Sequence, residues 1–415
     1  MKLIYIIFII TNFLYLGCRN ESIDYIHIKS INPVDTNFID LQPMKDVLKN
    51  IDVVLLGEQS HGDGSTIEAK IRFIEFLHQE MGFNVLAFES GALDCYKIWS
   101  DILSKDKNAT VYNKKLWMNY FPSQQIIPLF EYIEKNAKAS HPLYFMGIDA
   151  GGKLLRTDLD LEFTNFLNEY HLNCLLKNNL GILQNLIEKT SFGYAIFSQE
   201  DSLALLNNLS KIITFLKSIK SNNPDSLNSF LWQKEFEIIE GRTKFYHYYN
   251  SINYGWSSFR DSIMASNLIQ LKENIFPHEK IIVWAATQHI LSHPTAIKFF
   301  INHEVKFMGE YLHEKYKSKV YSIGFTSAFG KMWNYVTKEV VDLKPPTKKS
   351  LEMKLLNLNN NYIFINFQSP KNKLFFNKSM PAKFLGNIEI NGNWPQTLDG
   401  MFFIKTLKPL LIRNK

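Results

Sequence analysis

Cysteine is scarce in this chain of 415 residues: it occurs three times, at positions 18, 95 and 174, with no CxxC spacing. So few thiols exclude a disulfide framework in a fold this large, and the spacing offers no structural zinc site. The common catalytic signatures are missing too. No GxSxG elbow presents a serine nucleophile, and no HExxH helix presents a zinc pair. Gly57 and Gly62 have the separation of the first two glycines of a phosphate-binding loop, but the lysine that should follow is Asp63. An anion there would face an anion, so nucleotide binding is disfavoured. Charge of one sign is not concentrated either: 46 Lys and Arg against 40 Asp and Glu give a net charge of +6, spread without runs. Such a diffuse excess is a solvated surface, and no nucleic-acid partner is expected. Internal repeats and low-complexity tracts are absent.

What is present is a globular composition, 46% hydrophobic and 21% charged, long enough for one large core or two smaller ones. The first 18 residues, MKLIYIIFIITNFLYLGC, carry one lysine and an apolar run too short for a comfortable membrane span. They are similar to a bacterial lipoprotein signal, with Cys18 as the lipidated residue, although Tyr15 stands where such signals prefer a small aliphatic side chain. The alternatives are an ordinary signal peptide and an uncleaved anchor. All three take the chain out of the cytoplasm, and the lipoprotein reading anchors it to the membrane of a bacterial envelope. Residues 19–45 read as a polar tether, and the folded domain is expected from residue 46 to 415.

Val53-Val54-Leu55-Leu56 is a strand buried on both faces, as in a parallel sheet, and it runs straight into Gly57-Glu58-Gln59-Ser60-His61-Gly62. A helix follows, with Ile67, Ile71, Ile74 and Leu77 at helical spacing and Gly82 as its stop. Strands over 84–90 and 142–149, with helices over 93–104 and 125–139, complete a βαβ alternation and predict a mostly parallel central sheet flanked by helices. From Leu159 to about Phe276 only helical periods appear, so residues 150–276 are expected to be a large helical insertion capping the carboxyl ends of the strands. The sheet resumes at 280–287 and 319–325. Beyond the Pro345-Pro346 linker, residues 345–415 are expected to add edge strands at 361–367 and 400–406.

Open α/β sheets bind ligands outside the carboxyl ends of their strands. Four strand ends here carry polar groups: Glu58 with His61, Glu89, Asp149, and His289 beyond Trp284. They suit activation of water, with His61 as a base oriented by Glu58 or Glu89. The other reading of His61 is a capping or core histidine, and Glu58 three residues earlier at a Gly-flanked turn favours function. A metal site from His61, His289 and Glu58 or Glu89 is a chemical alternative. The i, i+4 pair His289 and His293 is not one, because Pro294 disfavours helical geometry before it. Arg260-Asp261 reads as a salt bridge tying the insertion to the cleft. The six aromatics of residues 245–256 read as core or as a cleft lining.

The stretch LLGEQSHGDGSTIEAKIRFIEFLHQEMGFNVLAFES resembles the opening motif of the erythromycin esterase family, Leu-Gly-Glu-x-x-His-Gly, then a basic helix, Gly-Phe and a strand ending in Glu. Further segments follow in order, among them FRDSIMASNL (259–268), VWAATQH (283–289), MGEYL (308–312), YSIGF (321–325), SLE (350–352) and LDGMFFIKT (398–406). The resemblance runs from about residue 46 to the end. It implies hydrolysis of an ester, in the best-known members a macrolide lactone, by water activated at His61 without a covalent intermediate or a cofactor. Glu58, Glu89 and His289 fall on family positions, as does the basic residue Lys70; Asp149, Trp284 and Arg260 are the further candidates for contact with substrate. Two positions depart: Ala286 stands at the first histidine of Trp-x-His-x-x-His, and Ser65 where a glutamate is common. One imidazole able to stabilise an oxyanion is therefore missing, and a non-catalytic ligand-binding surface lipoprotein is the competing expectation beside a metal-dependent hydrolase.

Overall fold

The computed structural model of the chain describes residues 23–104, 123–149, 165–172, 198–218, 226–248 and 254–412. Cys18 and Cys174 lie outside them, as do the side chains of the aromatic stretch 245–256. Eleven strands are present among the described residues: β1 (Ile26–Ile28), β2 (Val53–Glu58), β3 (Phe83–Gly91), β4 (Tyr144–Asp149), β5 (Lys280–Ala286), β6 (Val320–Asn334), β7 (Glu339–Asp342), β8 (Tyr362–Asn366), β9 (Met380–Leu385), β10 (Ile388–Gly392) and β11 (Gly400–Leu407). The helices that matter for the site are α1 (Gly64–Met81), α2 (Ala92–Ser104), α3 (Ile127–Asn136), α4 (Gln199–Ser218), α5 (Ser226–Tyr248), α6 (Tyr254–Gln270), α7 (Thr287–Ile290), α8 (Met308–Tyr316) and α9 (Leu351–Leu356).

The main sheet runs β1-β8-β11-β6-β2-β5-β3-β4, with β7 paired to the far end of β6. Every pairing from β11 to β4 is parallel; β8 and β1 join antiparallel. Strand β2 has a parallel neighbour on each side, and all six of its residues are buried. That is the environment its continuous apolar run requires, because helices cover both faces of a parallel sheet. Helix α1 stops at Gly82, whose φ of 70° is left-handed and whose N–H bonds the Leu77 carbonyl, a helix ending that glycine adopts without the Cβ penalty.

Two expectations about the chain's ends are overturned. Residues 19–45 are not a tether throughout. β1 pairs with β8, and Ile28, Ile31, Phe38 and Leu41 are buried in the main core. Arg72 of α1 holds this segment down: it donates to the carbonyls of Ser30, Asp35 and Asn37 and to both oxygens of Asp40, at 2.6–3.1 Å. The C-terminal segment is not simply an edge. β11 lies inside the sheet, parallel to β6 on one side and antiparallel to β8 on the other. Its unbroken apolar run, Met401 to Ile404, is a doubly covered strand; the strand that ends the sheet on that side is β1.

The described residues between 150 and 276 contain helices and no strand. α4 and α5 pack on each other around a second, smaller core of Phe166, Leu205, Leu209, Ile212, Trp232 and Phe236 that reaches Ala92 and Leu93 at the start of α2. α6 packs on β4 and α8.

Candidate active site

The sheet's register brings the chemistry together. Glu58 at the end of β2 lies opposite Ala286 at the end of β5, and β3 and β4 follow as the next strands outward with Glu89 and Asp149 at their ends. Pairing of β3 with β4 slips between Phe88 and Gly91, so Glu89 sits in a bulge. Bulges bend a strand and re-aim its side chains, and they recur beside active sites. α6 supplies Arg260 and Asp261, and α7, immediately after β5, supplies His289.

On one side of this cluster, His61 Nδ1 and Glu58 Oε1 are 2.9 Å apart, and the other carboxylate oxygen accepts from the Lys70 ammonium. Lys70 is completely buried, also donates to the Ala285 carbonyl at 3.3 Å, and lies 4.3 Å above the Trp284 ring. Burial opposes ionisation of Glu58, but Lys70 and the bond to His61 outweigh it and hold the carboxyl down at about 2. A permanent carboxylate on Nδ1 fixes the imidazole orientation and leaves the lone pair on Nε2, the tautomer a general base needs.

On the other side, Arg260 forks. Its Nε and one Nη bond Asp149 at 2.8 and 2.6 Å, and that same Nη bonds Glu89 Oε1 at 2.8 Å. Glu89 Oε2 accepts the Ala286 backbone N–H at 2.7 Å. His289 Nδ1 lies 2.9 Å from both oxygens of Asp261, which is itself held by the Met308 N–H, and His289 Nε2 lies 3.3 Å from Glu89. Burial alone would lower the His289 pKa; Asp261 and Glu89 more than reverse this and raise it to about 10. Burial likewise disfavours the Glu89 carboxylate, but His289 and Arg260 hold its pKa well below the usual range. The two sides differ in character: His61 beside one carboxylate, and His289 and Arg260, 3.0 Å apart at Nε2 and Nη1, threaded among three.

Seven of the predicted residues, Glu58, His61, Lys70, Glu89, Asp149, Arg260 and His289, thus meet in one place. Three candidates for substrate contact do not present surface there. Lys70, Asp149 and Trp284 are fully buried, so they act behind the groups that reach a ligand; Arg260, with 14% of its side chain exposed, is the one that presents surface. Arg260 and Asp261, successive helix positions that point about 100° apart, both tie α6 to the cleft but through different partners: Arg260 bonds Asp149 and Glu89 at strand ends, and Asp261 meets His289 on α7. His293 bonds Ser292 and stands apart from His289, with Pro294 opening the next turn.

Glu58, His61 and Glu89 offer donor atoms within 4.8 Å of one another, close enough for a metal ion. Both Glu58 oxygens and both Glu89 oxygens are already engaged by cations or N–H groups. An ion would have to compete with the buried Lys70 ammonium. At the opposite end of the sheet Ser322, His313 and Asp399 mimic a nucleophilic triad, but serine and aspartate meet the same nitrogen, Nε2, at 2.8 and 3.5 Å. A relay needs the two ring nitrogens to have different partners, and Ser322 is fully buried.

Residues 78–407 match the family model described as Erythromycin esterase. The chain belongs to the erythromycin esterase family. The match takes in Glu89, Asp149, Arg260, Asp261 and His289; Glu58, His61 and Lys70 precede it. Among curated proteins the chain is similar to "Putative hydrolase YbfO" of Bacillus subtilis (strain 168), 25% identical over 411 residues that cover 93% of this chain and 90% of that one. Among solved structures it is similar to a protein described as a succinoglycan biosynthesis protein (TM-score 0.77, 20% identity, 94% of this chain and 96% of that). It also resembles the erythromycin esterase EreC, a point mutant in its open conformation (TM-score 0.66, 17% identity, 92% of this chain and 98% of that). At these identities the solved structures speak for the fold, and family membership rests on the sequence match.

Proposed function

We propose that this member of the erythromycin esterase family hydrolyses an ester or lactone bond of a small molecule by direct attack of water. The observation that carries the reading is the hydrogen bond of His61 to a carboxylate kept ionised by a buried lysine, beside Arg260 of α6 and His289 of α7, which lie 3.0 Å apart. His61 Nε2 takes a proton from water as the water oxygen adds to the ester carbonyl. The oxyanion that develops is met by Arg260 and His289, which are pre-oriented by Asp149, Glu89 and Asp261 and so need no reorganisation during the reaction. Collapse breaks the carbonyl–alkoxide bond, and the leaving alkoxide takes back the proton from His61. Ala286 removes one imidazole from the family pattern; in this reading Arg260 and His289 supply the positive charge in its place.

An acylated envelope glycan and an exogenous macrolactone both fit this chemistry. Location is part of the proposal: the segment Met1 to Cys18 directs export and a lipid on Cys18 holds the enzyme at the membrane. Because no serine or cysteine serves as nucleophile, rapid acid quench during turnover of an activated ester should yield unmodified protein by mass spectrometry, with no pre-steady-state burst. A trapped acyl adduct would overturn the reading. Activity lost to a chelator and restored by added metal would replace it with a metallohydrolase whose ligands are Glu58, His61 and Glu89.

A further inference from the structure

Most of β6 runs inside the sheet, but its last residues leave it. Lys331 to Asn334 pair only with β7, from Glu339 to Asp342, forming a two-stranded hairpin beyond the carboxyl edge, on the side where His61 lies. This hairpin is pressed onto the motif turn. The Trp333 N–H donates to the Gly62 carbonyl at 3.0 Å, and a Cβ added to Gly62 would fall 1.8 Å from the Trp333 carbonyl oxygen. Only glycine permits that approach. The hairpin carries exposed apolar side chains that a solvated turn has no reason to carry: Tyr335 is 45% and Val336 77% exposed at its tip, and Val340 on β7 is 48% exposed. The Tyr335 ring centroid is 6.3 Å from that of His61.

We propose that this hairpin is the specificity wall of the active site, with Tyr335 and Val336 covering the apolar acyl or ring portion of the substrate while its ester carbonyl sits at His61. The inference rests on the hydrolase reading for the identity of the bond cleaved, and adds what flanks that bond. An apolar chain laid on Tyr335 and Val336 removes exposed apolar surface on both partners from water, and an aromatic ring gives a large, rigid contact at little entropic cost. A charged or strongly polar flank gains nothing there. Because both residues are exposed and lie at a turn, replacing them does not disturb the core.

The test compares wild type with Tyr335→Ala and Val336→Ser on p-nitrophenyl decanoate and p-nitrophenyl acetate. The expected result is a rise of about tenfold or more in KM for the decanoate, the scale of one lost apolar contact, with acetate kinetics and the pH profile unchanged. An unchanged decanoate KM overturns the proposal. So does an equal loss on both esters with a moved pH profile, which would make Tyr335 a positioning residue for His61. Binding of decanoyl anilide, an amide, to the His61→Ala protein keeps the two readings apart. Weakened binding there on adding Tyr335→Ala supports the hairpin even where the esters are not cleaved, whereas unweakened binding overturns it.

Discussion

Glu58 is shared between His61 and Lys70, and its low pKa is the price at which a buried carboxylate remains an anion. His289 is the mirror case, a buried imidazole whose pKa two carboxylates raise. Each couples folding to pH, in opposite directions. Glu58 titrates at 4.5 when unfolded and about 2 when folded, so its contribution is complete above pH 4.5 and is lost as pH falls toward 2. His289 titrates at 6.5 unfolded and about 10 folded, so its contribution is complete below pH 6.5 and is lost as pH rises toward 10. The urea midpoint of the wild type should therefore decline through these two windows, and the alkaline decline should flatten in His289→Gln. The same alkaline slope in both proteins would show that His289 is not the protonated group.

At the scale of elements, the segment before β2 is the most informative. Arg72 is almost wholly buried and crosses from α1 to bond Asp40 and three carbonyls of residues 30–37. Removing one partner of a buried ion pair costs about 3–5 kcal/mol, because the other charge is left uncompensated. Arg72→Ala should lose stability of that order by urea denaturation and become sensitive to limited proteolysis within residues 29–40; a segment as resistant as in wild type would contradict the anchoring role. This segment was not legible in the sequence because Ile28, Ile31, Phe38 and Leu41 follow neither a helical nor a strand period, and their burial depends on partners more than 30 residues away. β2, β3, β4 and β5 were legible, since each is a continuous apolar run ended by a polar group, and that same pattern located Glu58, Glu89 and Asp149. The place of β11 was not: an apolar run reports burial on two faces, not which neighbours provide it. The pairing of Asp261 with His289 and the hairpin at Tyr335 escaped for a related reason, as they depend on tertiary placement that no local spacing encodes.

For the whole molecule, the early start of the fold changes how an anchored enzyme would sit. Asp24, six positions after Cys18, already bonds Asn372, and an extended chain spans at most about 3.3–3.6 Å per residue. A lipid on Cys18 would hold the body close against the bilayer, not at the end of a long tether. Metabolic labelling with a fatty-acid analogue should mark the wild type and leave Cys18→Ala unlabelled; equal labelling of both would refute lipidation at this residue. At the sheet's carboxyl edge, parallel strands gather residues distant in sequence around His61. The most direct test of His61 as the base is the steady-state rate of purified wild type and His61→Ala on an activated ester that the wild type turns over, with circular dichroism showing both folded. If His61 is the base, the rate falls by about 10²–10⁴-fold, the range for loss of a general base; a His61→Ala protein as active as wild type would contradict that role.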